Sequence, residues 1–430
     1  AAGVQQGDRV ALMSRTRYEW TLLDYAVWFA GAVTVPIYDT ASTEQLGWVL
    51  ADSGASFAVA ETAQHVTRLT EAQHGGTDTA LRHVWAFDDG AVEHLTRSGR
   101  EVSDADLEDR RRSVTPRSPA TIIYTSGTTG TPKGCELTHG NFMFELSVAT
   151  QQLHELFVDE EASTLLFLPL AHVFARIIQV GAVKARVRLG FSTDVRRLFV
   201  DLEEFRPTFV LAVPRIFERI FTTTAQRAAA DGRGRTFDRA VHTAIAHSRA
   251  MDLGRAGPVL KAKHALFDRL VYAPMRDALG GRCRYAVSGG APLGDRLGHF
   301  YRGMGMVVLE GYGLTETTAA VTANLPDATK IGTVGRPLEG TSLRIADDGE
   351  LMVRGPQVMA AYWQDEQATE EVLSEGWLHT GDLGEIDDEG FLRVIGRKKE
   401  VLVTAGGKNV VPSVLEDRIR AHRLVSQCMV

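Results

Sequence analysis

The feature that most constrains this fold is the repeated alternation of short apolar runs with segments of helical character. Arg9–Met13, Val33–Ile37 and Phe57–Ala60 are apolar at nearly every position and read as buried strands. Residues 20–29 are apolar on most positions, closed by Gly31, and read as a helix; residues 53–56 read as a turn. Strands alternating with helices predict an α/β fold around mostly parallel sheets. The pattern returns at 164–168, 208–212 and 284–288, and each run ends in Pro, Gly or Ser, where a binding loop fits. In open α/β sheets ligands gather at such strand ends.

Two stretches depart from this texture. Residues 214–279 are helical in character, and 215–276 hold twelve Lys or Arg against five Asp or Glu. A solvated helical face is the first reading of that excess, and a patch meeting anionic lipid or substrate phosphates is the second. After about residue 330 the chain turns strand-like, with Gly332, Gly335, Gly340, Gly349 and Gly355 as punctuation, which predicts a small antiparallel or barrel-like unit. Residues 387–390 read as a hairpin turn within it. At 430 residues the chain exceeds one hydrophobic core, so more than one packed unit is expected.

Several function classes recede on composition. A net charge of −7 gives no reason to expect nucleic-acid binding. Hydrophobic residues at 44% and charged residues at 23% are ordinary for a globular protein, with no bilayer-length apolar run and no visible leader. A soluble, cytoplasmic protein is expected. Cys135, Cys283 and Cys428 are an odd, widely spaced set that forms neither a disulfide framework nor a zinc knuckle, so they read as structural.

The strongest chemical signal is Tyr124-Thr-Ser-Gly-Thr-Thr-Gly-Thr-Pro-Lys-Gly134, which follows an apolar strand at 121–124. Its glycines allow successive N–H groups to aim inward, and its hydroxyls and Lys133 add donors, a combination suited to phosphates. The order around the lysine differs from the ordinary nucleotidase loop. A Ser/Thr/Gly run also serves as a flexible linker. This one lies between a buried strand and a segment in which Thr138 and Asn141 are placed to cap a helix, which favours phosphate binding.

That loop is similar to the signature loop of the adenylate-forming superfamily, which includes acyl- and aryl-CoA synthetases, peptide-synthetase adenylation domains and firefly luciferase. Further segments resemble the superfamily's motifs in the same order. Leu168-Pro-Leu-Ala-His-Val-Phe174 looks like the motif whose histidine lies beside the acyl carboxylate and α-phosphate; alone, His172 would pass for a packed core histidine. Ser288-Gly-Gly-Ala-Pro-Leu293 looks like the strand-end loop lining the adenine and acyl pockets, though it also reads as a plain turn. Glu310-Gly-Tyr-Gly-Leu-Thr-Glu-Thr317 sets an aromatic ring between two glycines, free to lie against a purine, followed by a hydroxyl and a carboxylate. Trp377-Leu-His-Thr-Gly-Asp382 resembles the motif whose aspartate grips both ribose hydroxyls.

By that resemblance, Lys133, His172, Thr315 and Glu316 are the catalytic candidates, with Glu316 holding Mg²⁺. Thr125, Ser126, Gly127, Thr128, Thr129, Gly130, Gly289, Gly290, Ala291, Tyr312, Asp382 and Arg397 are implied to bind ATP, and Lys399 to be the hinge of a C-terminal domain. Residues 1–396 would form the large N-terminal domain, begun inside its first subdomain, with a β-rich part at 330–396; residues 397–430 would start a small α+β domain. Lys408 matches an early loop of that domain and not the family's late carboxylate-binding lysine, so the chain reads as a fragment. Phe267-Asp-Arg-Leu-Val271, Leu279-Gly-Gly-Arg282 and the helical segment before them look like the long-chain branch. The resemblance therefore implies activation of a long-chain fatty acid with ATP and Mg²⁺ to acyl-AMP, then transfer to coenzyme A. A fatty acyl-AMP ligase or carrier-protein-loading enzyme is the alternative, and a nucleotide- or acyl-adenylate-binding module is the non-enzymatic one.

Overall fold

The computed structural model describes residues 2–74, 79–125, 131–157, 160–403 and 409–412, together with 415–416, 419, 425 and 428–430. Two seven-stranded sheets carry the fold. In the first, the order is Ala361–Tyr362, Lys133–Thr138, Pro119–Thr125, Val33–Ile37, Arg9–Met13, Phe57–Ala60 and His83–Ala86. Its last five strands are parallel, and the hairpin of Pro119–Thr125 with Lys133–Thr138 is antiparallel. In the second, Val307–Tyr312, Tyr285–Ser288, Phe209–Ala212, Ser163–Leu166 and Arg188–Phe191 run parallel. Thr322–Ala323 and Arg336–Pro337 extend its other edge antiparallel. The predicted strands thus form, each shorter by one residue at 163–166, 209–212 and 285–288, the first of them also beginning one residue earlier.

Alternation along the strands explains why both faces of the first sheet are covered. Ala11 and Met13 pack with Leu46, Val49, Leu50 and Leu69 of the helices Thr43–Ser53 and Ala63–His74. Leu12, pointing the other way, packs with Trp20 and Leu23 of the helix Tyr18–Phe29. The helix Val173–Ala185 joins the two sheets. Val173, Ile177 and Val180 share a core with Ala120 and Ile123, while Ala182 shares one with Phe209 and Leu309. This interposed helix fixes the distance between the hairpin of Pro119–Thr125 with Lys133–Thr138 and the strand ends of the second sheet.

The basic stretch is helical as expected, in Pro214–Ala230, Gly234–Asp252 and Pro258–Phe267. The first two bury Phe217, Phe237 and Val241 against Phe300 and Tyr301, while Pro258–Phe267 has no fully buried residue. The late strands form an antiparallel sheet in which Trp377–Ile386 pairs with Glu350–Arg354, Leu373–Ser374 and Leu392–Arg397. Ser342–Ile345 lies at its edge, and the described residues show an open sheet with no closed barrel. Asp387 makes the predicted turn, its Oδ1 accepting from the N–H of Glu389 and of Phe391. Among the described residues, no helix is long and apolar enough to cross a membrane.

Candidate active site

Two adjacent parallel strands of the second sheet, Tyr285–Ser288 and Val307–Tyr312, end on one cavity of about 1180 Å³. Ser288 and Glu310 are partners in register, so the loop after Ser288 and the segment after Glu310 leave the sheet side by side. Gly289, Gly290, Tyr312, Thr315 and Glu316 line the cavity from these two strand ends. His172 enters after Ser163–Leu166, and Thr125 and Lys133 enter from the two strands of the first sheet's hairpin. Arg397, Lys398 and Lys399 reach the same cavity at the end of Leu392–Arg397. Sequence motifs up to about 270 residues apart therefore face one space, as the strand-end rule predicts.

Local geometry holds these groups. The path at Gly313 admits only glycine, because a Cβ there would stand 1.4 Å from the Ala319 carbonyl oxygen. That contact closes the turn carrying Thr315 and Glu316. Tyr362 Oη donates to Glu316 Oε1 at 2.8 Å, and Lys133 Nζ lies 5.3 Å from the centre of the Tyr362 ring. Tyr362 thus bridges the carboxylate and the ammonium group. Tyr312 Oη donates to Asp382 Oδ2 at 2.5 Å, and Arg397 Nε meets Asp382 Oδ1 at 3.0 Å. Burial raises the Asp382 pKa, opposed by Tyr312 and Arg397, and burial followed by Asp382 holds the Tyr312 phenol well above its usual range.

His172 caps its own helix, its Nδ1 accepting from the Phe174 N–H at 3.2 Å. The neutral ring then carries its proton on Nε2. Its ring opens onto the cavity, yet the protein around it lowers its pKa below 6.5 through desolvation. A neutral imidazole donor is the state this favours near neutral pH.

Glu310 is 7% exposed, and its Oε2 accepts from the Leu293 N–H at 3.0 Å, tying down the loop after Ser288. Burial raises its pKa from 4.5 to about 7. Below about pH 4.5 the folded and unfolded chains both hold the proton; above about 7 the native protein carries the buried charge at a cost. Glu310→Gln keeps an acceptor for Leu293 and is expected to raise the melting temperature more at about pH 8 than at about pH 5. Equal shifts at the two pH values would contradict this account.

Most of the anticipated site is brought together, with exceptions. Ala291 is exposed and does not line the cavity, because the chain turns outward after Gly290, whose φ is +81°. Asp382 stands behind the wall formed by Thr380 and Gly381, and acts on the cavity through Tyr312 and Arg397. Ser126, Gly127, Thr128, Thr129, Gly130 and Lys408 lie outside the described residues. Sequence reading missed Tyr362, whose edge strand pairs with Lys133–Thr138, and no local signal marks it. The tie from Glu310 was also missed, although the residue stands in a recognised motif. Cys135 and Cys283 are buried, and burial pushes the Cys283 thiol up to about 12, so neither is an activated nucleophile.

This arrangement defines an AMP-binding enzyme: residues 1–363 match the AMP-binding enzyme family, and the chain belongs to it. It is similar to the long-chain-fatty-acid–CoA ligase FadD15 of Mycobacterium bovis, at 52% identity over 100% of this chain and 71% of that protein. The peroxisomal long chain acyl-CoA synthetase 7 of Arabidopsis thaliana is 33% identical over 100% of this chain and 63% of that protein. The o-succinylbenzoate CoA synthetase of Bacillus subtilis, solved with its acyl-adenylate intermediate, superimposes with a TM-score of 0.72. That match covers 99% of this chain and 75% of the other at 22% identity, and speaks for the fold alone.

Proposed function

We propose that this enzyme activates a long-chain fatty acid with ATP and transfers the acyl group to coenzyme A. The observation carrying this is the mixed lining of this cavity. Lys133, Thr125, Thr315 and Arg397 supply donors and positive charge to it. Leu146, Ala149, Leu153, Leu156, Phe157 and Ile177 supply apolar surface to the same cavity. A nucleotide and an alkyl chain need these two surfaces to meet where the carboxyl group sits. The 52% identity to a long-chain-fatty-acid–CoA ligase supports the acid and the acceptor.

In the first step a carboxylate oxygen of the acid attacks the α-phosphorus, and the bond to pyrophosphate breaks. In the second, the coenzyme A sulfur attacks the acyl carbon as a thiolate, and the bond to AMP breaks. Catalysis then rests on positioning and on donors aimed at the phosphate charge. In this reading Lys133 and Thr315 face the phosphates, neutral His172 donates from Nε2 near the reacting carboxyl group, Tyr312 lies against adenine, and Asp382 with Arg397 serves the ribose.

Glu316 is the proposed Mg²⁺ ligand. No group of three or more His, Cys, Asp or Glu among the described residues suits a metal ion. One carboxylate fits magnesium, which takes its remaining ligands from phosphate and water. When bound, the ion neutralises phosphate charge. Lys399, in the turn Lys398–Glu400 at the cavity edge, is proposed as the pivot for motion between the two steps.

The test is a mass-spectrometric product assay with ATP, Mg²⁺ and acids from acetate to stearate, with and without coenzyme A. Long-chain acyl-CoA formed only with coenzyme A is the expected result. Adenylate that never reaches coenzyme A would favour an acyl-AMP ligase, and no product from any acid would leave a nucleotide-binding module.

Peripheral contact with anionic membrane belongs to the same proposal. Leu253, Val259, Leu266 and Leu270 are all more than half exposed. They share residues 249–270 with Arg249, Arg255, Lys261, Lys263 and Arg269. Apolar groups among basic ones suit an anionic headgroup layer. Salt-sensitive binding to phosphatidylserine vesicles is expected, and none at low salt would exclude it.

A further inference from the structure

Two packed helices each present a face to the cavity. Along Val173–Ala185 the lining residues Val173, Ile177 and Gly181 recur every four positions, the spacing of one helical face. Along His139–Gln152 the lining residues Leu146 and Ala149 are one turn apart, and Leu146 shares a core with Val173 and Ile177. Gly181 is the odd member. It stands inside its helix, where glycine is weaker than alanine, and its φ is not left-handed, so the backbone does not require it. Nor does crowding. Gly181 is buried, yet beyond its own helix backbone and chain neighbours a Cβ there would meet one described atom within 4 Å, Leu146 Cδ2 at 3.2 Å. A buried side chain ordinarily touches several residues. The open space around this one is the cavity that Gly181 lines.

We infer that Gly181 is a chain-length determinant of the acyl site, keeping a passage open beside Leu146 for the distal carbons of a long alkyl chain. The inference rests on the acyl-activating reading above, which sets the reacting carboxyl group near His172. His172 caps the helix, and Gly181 follows nine residues later, about 13–14 Å along the axis. An alkyl chain lying along this face reaches Gly181 with the distal carbons of hexadecanoate, whereas octanoate stops short. The apolar lining continues at that end of the helix: Leu153, Leu156 and Phe157 line the cavity and share a core with Ala182. A methyl group at 181 would press on Leu146, and a leucine would fill the passage.

The test measures kcat/KM for saturated acids from octanoate to octadecanoate with the full-length wild type, Gly181→Ala and Gly181→Leu. The ratio for hexadecanoate to that for the shortest acid turned over is expected to fall by about 10-fold in Gly181→Leu and by less in Gly181→Ala, chiefly through KM. An unchanged ratio overturns the assignment. So does a loss equal for every acid, which is what a glycine serving helix packing alone would give.

Should neither variant fold, the wild type alone decides. Hexadecanoate analogues carrying a diazirine at a proximal or a distal carbon are bound with ATP and Mg²⁺, irradiated, and the labelled peptides located by mass spectrometry. The distal label is expected in residues 146–153 or 177–185, and a distal label in neither segment overturns the assignment. Turnover of hexadecanoate with an unchanged ratio defeats only the role of Gly181. Absence of turnover with every long-chain acid defeats the acyl-activating reading, and this inference with it.

Discussion

Replacing Asp382 by alanine is expected to lower kcat/KM for ATP by about 10²- to 10³-fold, the size of losing a preorganised polar contact in a catalytic site. The carboxylate is 4% exposed, with each oxygen already engaged, one by Tyr312 Oη at 2.5 Å and the other by Arg397 Nε at 3.0 Å. Asp382 and Arg397 are also partners across the antiparallel pair Trp377–Ile386 and Leu392–Arg397. Alanine would leave a buried phenol and a guanidinium unpaired and release the ring proposed to lie against adenine. Its effect on the nucleotide runs through Tyr312 and Arg397, which it holds in place. Asp382→Asn keeps the shape but loses the charge opposite Arg397, and should fall between alanine and the wild type. Tyr312→Phe removes only the phenol bond and should cost less than Asp382→Ala. A loss below about threefold in Asp382→Ala, measured by pyrophosphate release at limiting ATP, would remove Asp382 from the proposed nucleotide site.

What the sequence disclosed follows the range of the interactions involved. Strands such as Val33–Ile37 were legible because every residue in them is buried, and the helix His139–Gln152 because Thr138 and Asn141 cap it reciprocally. Tyr312, Thr315 and Glu316 were legible because one short motif carries them. Tyr362 was not, since its meaning comes from pairing with Cys135, more than 220 positions earlier in the chain. Ala291 differs: motif membership implied a role, and the residue is exposed outside the cavity lining, after the left-handed turn at Gly290. Resemblance delivers the polar contacts that motifs encode, and packing decides which side chains reach the cavity.

A charge inside an apolar helix was the overlooked signal behind the second large effect. Asp24→Ala is expected to destabilise the protein by about 3–5 kcal/mol, lowering the melting temperature by on the order of 10 °C. Asp24 and Arg176 are both fully buried and form an ion pair between the helices Tyr18–Phe29 and Val173–Ala185. The pair is closed on all sides. Thr34 Oγ1 donates to Asp24 at 2.8 Å, Gln179 Nε2 donates at 3.3 Å, and Arg176 Nη1 donates to Thr121 Oγ1 at 2.5 Å. Trp20, Trp28 and Phe142 surround the guanidinium at 5.2–5.7 Å. Alanine at 24 strands that guanidinium in an apolar space, and the cost is desolvation rather than a lost bond. The double variant Asp24→Leu with Arg176→Met should therefore be more stable than Asp24→Ala alone, since no charge remains to be buried. The pair also bears on the site, because Arg176 stands one turn beyond His172 on the helix that separates the sheets. If the double variant recovers stability but not kcat, the ion pair sets the position of His172. If both return together, the pair contributes to folding alone.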